Sequence, residues 1–297
     1  MQRLLIIGCG DIARRALPWL VKHYRVYAAV RSDARHRELR EMGVTPLRAD
    51  LDNPRTLQRL AGIGNLILHF APPQDNGLDD KRMRALLAAL STGKILPRRL
   101  VYISTSGVYG NCNGAWVSEA RPIHPQTARA KRRADAESRL RRFGRNRRVS
   151  VAILRAPGIY AGDRLPLARL ERALPLLRDE EDIYTNHIHA DDLARIARVA
   201  LARGRPGRLY NAADDSVLKM GAYFDLIADR LGLPRALRLP RDEIERRLSP
   251  AMLSFMGESR RLTNDRIKRE LGVRLRHPDV SAALDAIKQG GRLTCCG

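Results

Sequence analysis

The sequence predicts an α/β fold, a doubly wound parallel sheet with a smaller, interleaved C-terminal lobe. Three observations predict it. Short apolar runs alternate with helical patterns through the first half of the chain, as expected when parallel strands are joined by crossover helices. The runs are rich in Leu, Val and Ile, as strands covered on both faces are. A glycine turn, Gly8-Cys9-Gly10, follows the first run and opens a helical pattern. That strand–turn–helix order is the start of a Rossmann-type sheet.

The runs predict strands over residues 3–8, 25–30, 45–49, 66–71, 100–104 and 149–154. Helical patterns over 11–23, 34–42, 55–60, 79–90 and 127–143 separate them. Pro18 lies inside the first helix, where its missing N–H and its ring should kink or shorten it. After Leu154 the pattern loosens. A helix is expected over 165–178, another over 192–202, and a strand over 208–212. Helices are then expected over 221–231, 241–248, 264–271 and 280–288. Gly232 and Gly272 each follow a periodic run and suit the left-handed position just past a helix. No low-complexity linker or repeat divides the chain. The expected organisation is a Rossmann unit over 1–160, with 187–215 returning to it, and a smaller lobe made of 161–186 and 216–297.

Of the 297 residues, 44% are hydrophobic, enough for a core. No apolar run approaches the roughly 18 residues that span a bilayer. The N-terminus runs directly into a strand pattern without the features of a signal peptide, so a cytoplasmic protein with no membrane partner is expected. Cys9, Cys112, Cys295 and Cys296 have neither disulfide-framework nor zinc-site spacing. No metal is expected.

The formal net charge of +23 raises the possibility of nucleic-acid binding. Most arginines are dispersed. The exception is 129–148, where Arg129, Lys131, Arg132, Arg133, Arg139, Arg141, Arg142, Arg145, Arg147 and Arg148 are opposed only by Asp135 and Glu137. Ala130, Ala134, Leu140 and Phe143 form a narrow apolar stripe that leaves the arginines outside. Aromatic residues that could stack on bases are only 5% of the chain, so specific nucleic-acid binding is not expected.

Gly8-x-Gly10-x-x-Ala13 fits a dinucleotide site. Glycine allows the tight turn and close approach of the backbone to a pyrophosphate. Asp11 and Ile12 open the helix, whose free N–H groups face the phosphates. The second strand ends at Arg31-Ser32, where an NAD site usually carries an acid. A guanidinium suits a 2′-phosphate instead, so NADP(H) is expected over NAD(H). The alternative is that Asp33 holds the ribose and Arg31 is one more exposed arginine.

Further along come Asp50-Leu51, Phe70-Ala71-Pro72-Pro73, the run from Ser104-Thr105-Ser106 to Tyr109-Gly110, and Arg155-Ala156-Pro157-Gly158-Ile159-Tyr160. Asn186-His187-Ile188-His189-Ala190-Asp191-Asp192 and Tyr210-Asn211-Ala212 follow. With these, nearly the whole chain resembles an extended or atypical short-chain dehydrogenase/reductase, of the NAD(P)-dependent epimerase/dehydratase type that often acts on nucleotide sugars. The resemblance implies that Asp50-Leu51 lies near the adenine and Ala71-Pro72 near the nicotinamide ribose. It implies that Thr105 bonds the reacting substrate oxygen and that Pro157-Gly158 flanks the nicotinamide. The histidines near Asp191 and Asp192 are expected to be structural, and one of those two acids to cap the next helix. The catalytic pair of such proteins is Tyr-x-x-x-Lys. The register here gives Thr127-Ala128-Arg129-Ala130-Lys131, with lysine but no tyrosine. Lys131 is then expected to bind the nicotinamide ribose, and the proton donor is open among Tyr109, Tyr160, His124 and water.

The leading expectation is an NAD(P)-dependent oxidoreductase or epimerase/dehydratase acting on a nucleotide sugar or a related carbonyl or alcohol. A non-catalytic NADP(H)-binding sensor is the second reading and a nucleic-acid binder the third. Like charges on the arginine-rich helix should oppose self-association through it, so a monomer, or a dimer through another surface, is expected.

Overall fold

In a computed structural model of the chain, residues 1–289 are described. Five strands, β1 (Arg3–Ile7), β2 (Arg25–Val30), β3 (Thr45–Arg48), β4 (Leu66–His69) and β5 (Arg99–Thr105), join Ser150–Ala156 and Arg208–Asn211 in one seven-stranded sheet. From one edge the order is Arg208–Asn211, Ser150–Ala156, β5, β4, β1, β2, β3. All neighbours run parallel. The order reverses at β1, which has β2 on one side and β4 on the other. Ligands of open α/β sheets bind at the carboxyl ends of the strands beside such a reversal.

Of the helices α1 (Asp11–His23), α2 (His36–Glu41), α3 (Lys81–Ser91), α4 (Ala128–Arg147), α5 (Leu167–Glu171), α6 (Ala190–Arg203) and α7 (Met220–Leu231), α1, α2 and α6 cover one face of the sheet and α3 and α4 the other, while α5 and α7 pack in the second lobe. Successive side chains of β1 point to opposite faces, as a strand requires. Leu4 and Ile6 pack with Leu17 and Leu20 of α1 and Leu193 and Ile196 of α6. Leu5 and Ile7 pack with Met83 and Leu86 of α3 and Ala136 and Leu140 of α4. A third core, including Tyr160, Leu177, Ile183, Phe224, Ile227 and Ile244, belongs to the second lobe.

Several sequence expectations change in physical detail. Residues 55–60 lie within a 3-10 segment, Pro54–Leu60, whose three-residue turn puts the buried Leu57 and Leu60 on one side. The 34–42 pattern divides into a 3-10 turn, Asp33–Arg35, and α2. The helix expected over 165–178 is only α5. Pro175 disfavours helical backbone at Leu174, Ala173 takes φ +47°, and Leu176–Leu177 pairs with Arg238–Leu239 as a short parallel ladder. Pro18 does not shorten α1. The segment expected wholly in the small lobe also returns to the sheet. Ile267, Leu271 and Val273 join the same core as Leu4 and Ile6, beside α6 and the edge strand Arg208–Asn211, and Arg261–Leu262 pairs with Trp116–Val117. Cys295 and Cys296 lie outside the described residues.

Candidate cofactor and substrate site

A cavity of about 690 Å³ opens at the carboxyl ends of β1, β2 and β4. Gly8, Gly10, Asp11, Ile12, Arg31, Ser32, Asp50, Leu51, Ala71 and Pro72 all line it. Gly8 has φ +84°, and a Cβ there would stand 2.6 Å from the Ala71 nitrogen. At Gly10 a Cβ would meet nothing within 4 Å. The turn therefore presents bare backbone and the open start of α1 to the cavity, the cradle a pyrophosphate needs. Asp33 does not line the cavity. It pairs with His36 at 3.3 Å and Arg48 at 3.5 Å.

Arg35, Arg82 and Arg164 also line this cavity. The sequence reading missed Arg82 and Arg164 because they come from distant segments. Arg82 is a strut, holding Asp52 at 2.5 Å and the carbonyls of Pro72 and Pro73. Arg164 donates to Asp11 at 2.6 Å, and Arg15 joins Asp11 to Asp163 and Asp191. Burial raises the Asp11 pKa, but the hydrogen bonds from Arg164 and Arg15 outweigh it and hold the carboxyl below its usual range. Asp191 also lies with His189 and His277 in a group whose ligand atoms fall within 4.8 Å of one another, but the Arg15 guanidinium already supplies a cation to Asp191 at 2.9 Å.

The first cavity runs into a second of about 620 Å³, through Ile12, Phe70, Pro72, Pro73, Asp75 and Arg164, which line both. Thr105, Pro157 and Gly158 line the second cavity. Thr105 ends β5, and its Oγ1 accepts from the Gly107 N–H at 3.2 Å, which leaves the hydroxyl proton to donate. Ser104 beside it is buried, its hydroxyl without a partner among the described residues. His187 stacks on Tyr223, with ring centroids 4.0 Å apart, and burial lowers its pKa to about 3. It is therefore a neutral wall at pH 7. None of Tyr109, Tyr160 and His124 lines the cavity. Tyr109 is buried, donates to Asn211 Oδ1 at 2.8 Å, and has its pKa raised by that burial.

On α4 the structure separates the expected pair from the cavity. Thr127 is the N-cap, its Oγ1 accepting from the Ala130 N–H at 3.2 Å. Lys131 is exposed and lines neither cavity. The residues of α4 that line the cavity are Arg129, Arg132 and Arg133. Two residues along a helix turn a side chain by about 200°, so a lysine in register with Thr127 faces away when Arg129 and Arg133 face in. These last two have the Tyr-x-x-x-Lys spacing. Arg132 is also not outside, as the apolar stripe implied. It is 7% exposed and donates to the Gly77 carbonyl at 2.7 Å.

Two substitutions follow from this placement. Lys131→Met should leave stability within about 0.5 kcal/mol of the parent, as at an exposed site, and leave NADPH affinity unchanged. Thr127→Val should cost about 1 kcal/mol of stability through the lost cap, again without changing NADPH affinity. Thermal melts and NADPH fluorescence titrations check both. A tenfold affinity loss in Lys131→Met would place that lysine at the cofactor after all.

The parallel sheet, the reversal at β1 and the glycine turn define a dinucleotide-binding α/β protein. The model of the NAD(P)H-binding family matches residues 8–202, and the chain belongs to that family. It is similar to a conserved protein of unknown function from Silicibacter pomeroyi DSS, at 28% identity and TM-score 0.82, over 98% of this chain and 99% of the other. It is also similar to a protein assigned as an NAD-dependent epimerase/dehydratase from Methylobacillus flagellatus, at 25% identity and TM-score 0.72, over 97% and 98% of the two chains. Human dTDP-D-glucose 4,6-dehydratase is 24% identical over 166 residues, 50% of this chain, and the match covers about half of that enzyme (47%). The epimerase/dehydratase and dehydratase names of the last two agree with the resemblance carried by the sequence motifs. Among the described residues no helix is long and apolar enough to cross a membrane.

Proposed function

We propose that the chain is an NADP(H)-dependent oxidoreductase or epimerase/dehydratase acting on the alcohol or carbonyl of a nucleotide sugar or a related compound. The observation that carries this reading is the continuity of the two cavities: the dinucleotide cradle opens into a chamber walled by Thr105 and Pro157-Gly158. Bound there, the nicotinamide would supply hydride transfer. The protein's part is orientation and polarisation. Gly8, Gly10 and the start of α1 would hold the pyrophosphate. Asp50-Leu51 would border the adenine and Ala71-Pro72 the nicotinamide ribose. The Thr105 hydroxyl would donate to the reacting oxygen. Lys131 is left out of these roles because it lines neither cavity.

NADP(H) is favoured because Arg31, Ser32 and Arg35 line the adenosine end while Asp33 does not. Arg31→Ala should weaken NADPH by about 1.5–3 kcal/mol, the worth of a hydrogen bond to a charged group, and NADH much less. Titration of both cofactors checks it. A parent protein that prefers NADH would overturn the NADP assignment. Turnover is tested with NADP⁺ or NADPH against a panel of sugar nucleotides. The absence of any cofactor binding would overturn the enzyme reading. Self-association through α3 and α4 is disfavoured, because Arg84, Arg139, Arg142 and Arg147 line the groove between them.

A further inference from the structure

We propose that Arg129 and Arg133, backed by Arg132 and Arg260, form a subsite for an oxyanion carried by the substrate itself, a carboxylate or phosphate close to the group that Thr105 holds. The inference rests on the reading above and names its substrate class.

The charge of the chamber points to it first. Five arginines line the cavity against two carboxylates, Asp75 and Glu258. Arg164 is already held by Asp11, but the other four have donor capacity left. Arg129 lies with its guanidinium 4.3 Å from the Phe255 ring centroid and makes no hydrogen bond to any described residue. Arg133 uses Nη1 alone, on the Tyr102 hydroxyl at 2.9 Å and the Ile103 carbonyl at 2.7 Å. Arg132 is buried, and its Nε has no partner among the described residues. Arg260 spends Nη1 on Gly110 and Glu258, and its Nε is also buried without a partner among the described residues.

These groups feel one another. Partial desolvation lowers the Arg129 pKa most; Glu258 raises it, and Arg133, Arg132 and Arg260 lower it further. Arg129 itself is exposed to solvent, so the cost of gathering these like charges is mutual repulsion more than burial, and a bound anion would relieve it. A guanidinium does not lose its proton, so this pair is unsuited to exchange one with a substrate. Its planar fork of donors matches a carboxylate or phosphate edge. Residues four apart on a helix are neighbours, about 5–6 Å between Cβ atoms, so the two forks can grip one oxyanion. The position is fixed by the sheet. Arg133 is tied to the carbonyl of Ile103, two residues before Thr105 on β5.

The test uses the full chain saturated with NADPH, with NADPH binding measured first and separately. A failure of the cofactor reading appears in that measurement and a failure of the subsite in the next. D-glucuronate, D-glucose 6-phosphate and neutral D-glucose are then titrated calorimetrically in about 150 mM KCl, where long-range charge effects are largely screened. At least one anion should bind about tenfold or more tightly than glucose, and the stronger one identifies carboxylate or phosphate. Arg129→Gln should abolish the advantage with unchanged NADPH affinity, since Arg129 holds no other residue by hydrogen bonds. Arg142→Gln, in the groove facing α3, should keep it. Anions no tighter than glucose, or an advantage that survives Arg129→Gln, would overturn the proposal.

Discussion

Glu137→Ala is expected to lower the unfolding free energy by about 3–5 kcal/mol, the cost of breaking a buried ion pair from one side. Glu137 and Arg155 are each 1% exposed. The carboxylate accepts from Arg155 Nε at 3.1 Å and from Nη2 at 2.6 Å. The guanidinium also lies 4.6 Å from the Tyr109 ring centroid. Burial alone would push the Arg155 pKa down; Glu137 more than reverses it. Without Glu137 the guanidinium remains charged and buried, because arginine does not neutralise in a protein. Adding Arg155→Met should recover much of the loss, since both charges are then gone. Urea unfolding of the two single variants and the double variant measures the coupling. A single-variant loss under about 1 kcal/mol would show that the pair behaves like a surface salt bridge.

Gly8→Ala should damage both stability and cofactor binding. The new methyl group would stand 2.6 Å from the Ala71 nitrogen and 2.7 Å from its Cα and Cβ. Those atoms cannot move aside cheaply, because the Phe70 and Ala71 N–H groups both donate to the Ile7 carbonyl, at 2.8 and 3.1 Å. Overpacking costs about 1–3 kcal/mol, and the left-handed backbone adds about 1–2 kcal/mol for a residue with a Cβ. Relief requires β1 and β4 to separate at the cofactor turn, so NADPH affinity should fall by more than tenfold. Gly10→Ala is the control. Its Cβ meets no protein atom, so the fold should survive while the methyl group intrudes on the phosphate site. A Gly8→Ala variant with parental melting temperature and NADPH affinity would refute the clash.

The features that agree with the sequence reading are those set by local pattern. The Leu-, Ile- and Val-rich runs are strands because both faces are covered, and the glycine turn is legible because only glycine suits its backbone. The phase of α4 was not legible. Its charges surround the whole helix, and an apolar stripe of Ala130, Ala134, Leu140 and Phe143 does not reveal that Arg132 and Glu137 are also buried. Their partners, Gly77 and Arg155, lie outside the helix. No spacing within α4 announces them, so the Tyr-x-x-x-Lys comparison fell on Thr127 and Lys131, two residues from the pair that lines the cavity. Arg164 and Arg260 were missed for the same reason: they reach the chamber from the second lobe and its return segment. Pro175, by contrast, was a local sign that the helix over 165–178 should stop early.

The chain is stitched between its two bodies. The second-lobe core takes residues from Tyr160 to Ile183, then from Met220 to Met256, then from Val280 to Leu284. The stretches between return to the sheet's own core, with Ile188 to Ala212 in one and Ile267 to Val273 in the other. No single cut therefore releases the second lobe as a continuous piece, and grafting it onto another dinucleotide sheet would require rejoining the chain at several seams. What looks like a detachable cap is woven cloth.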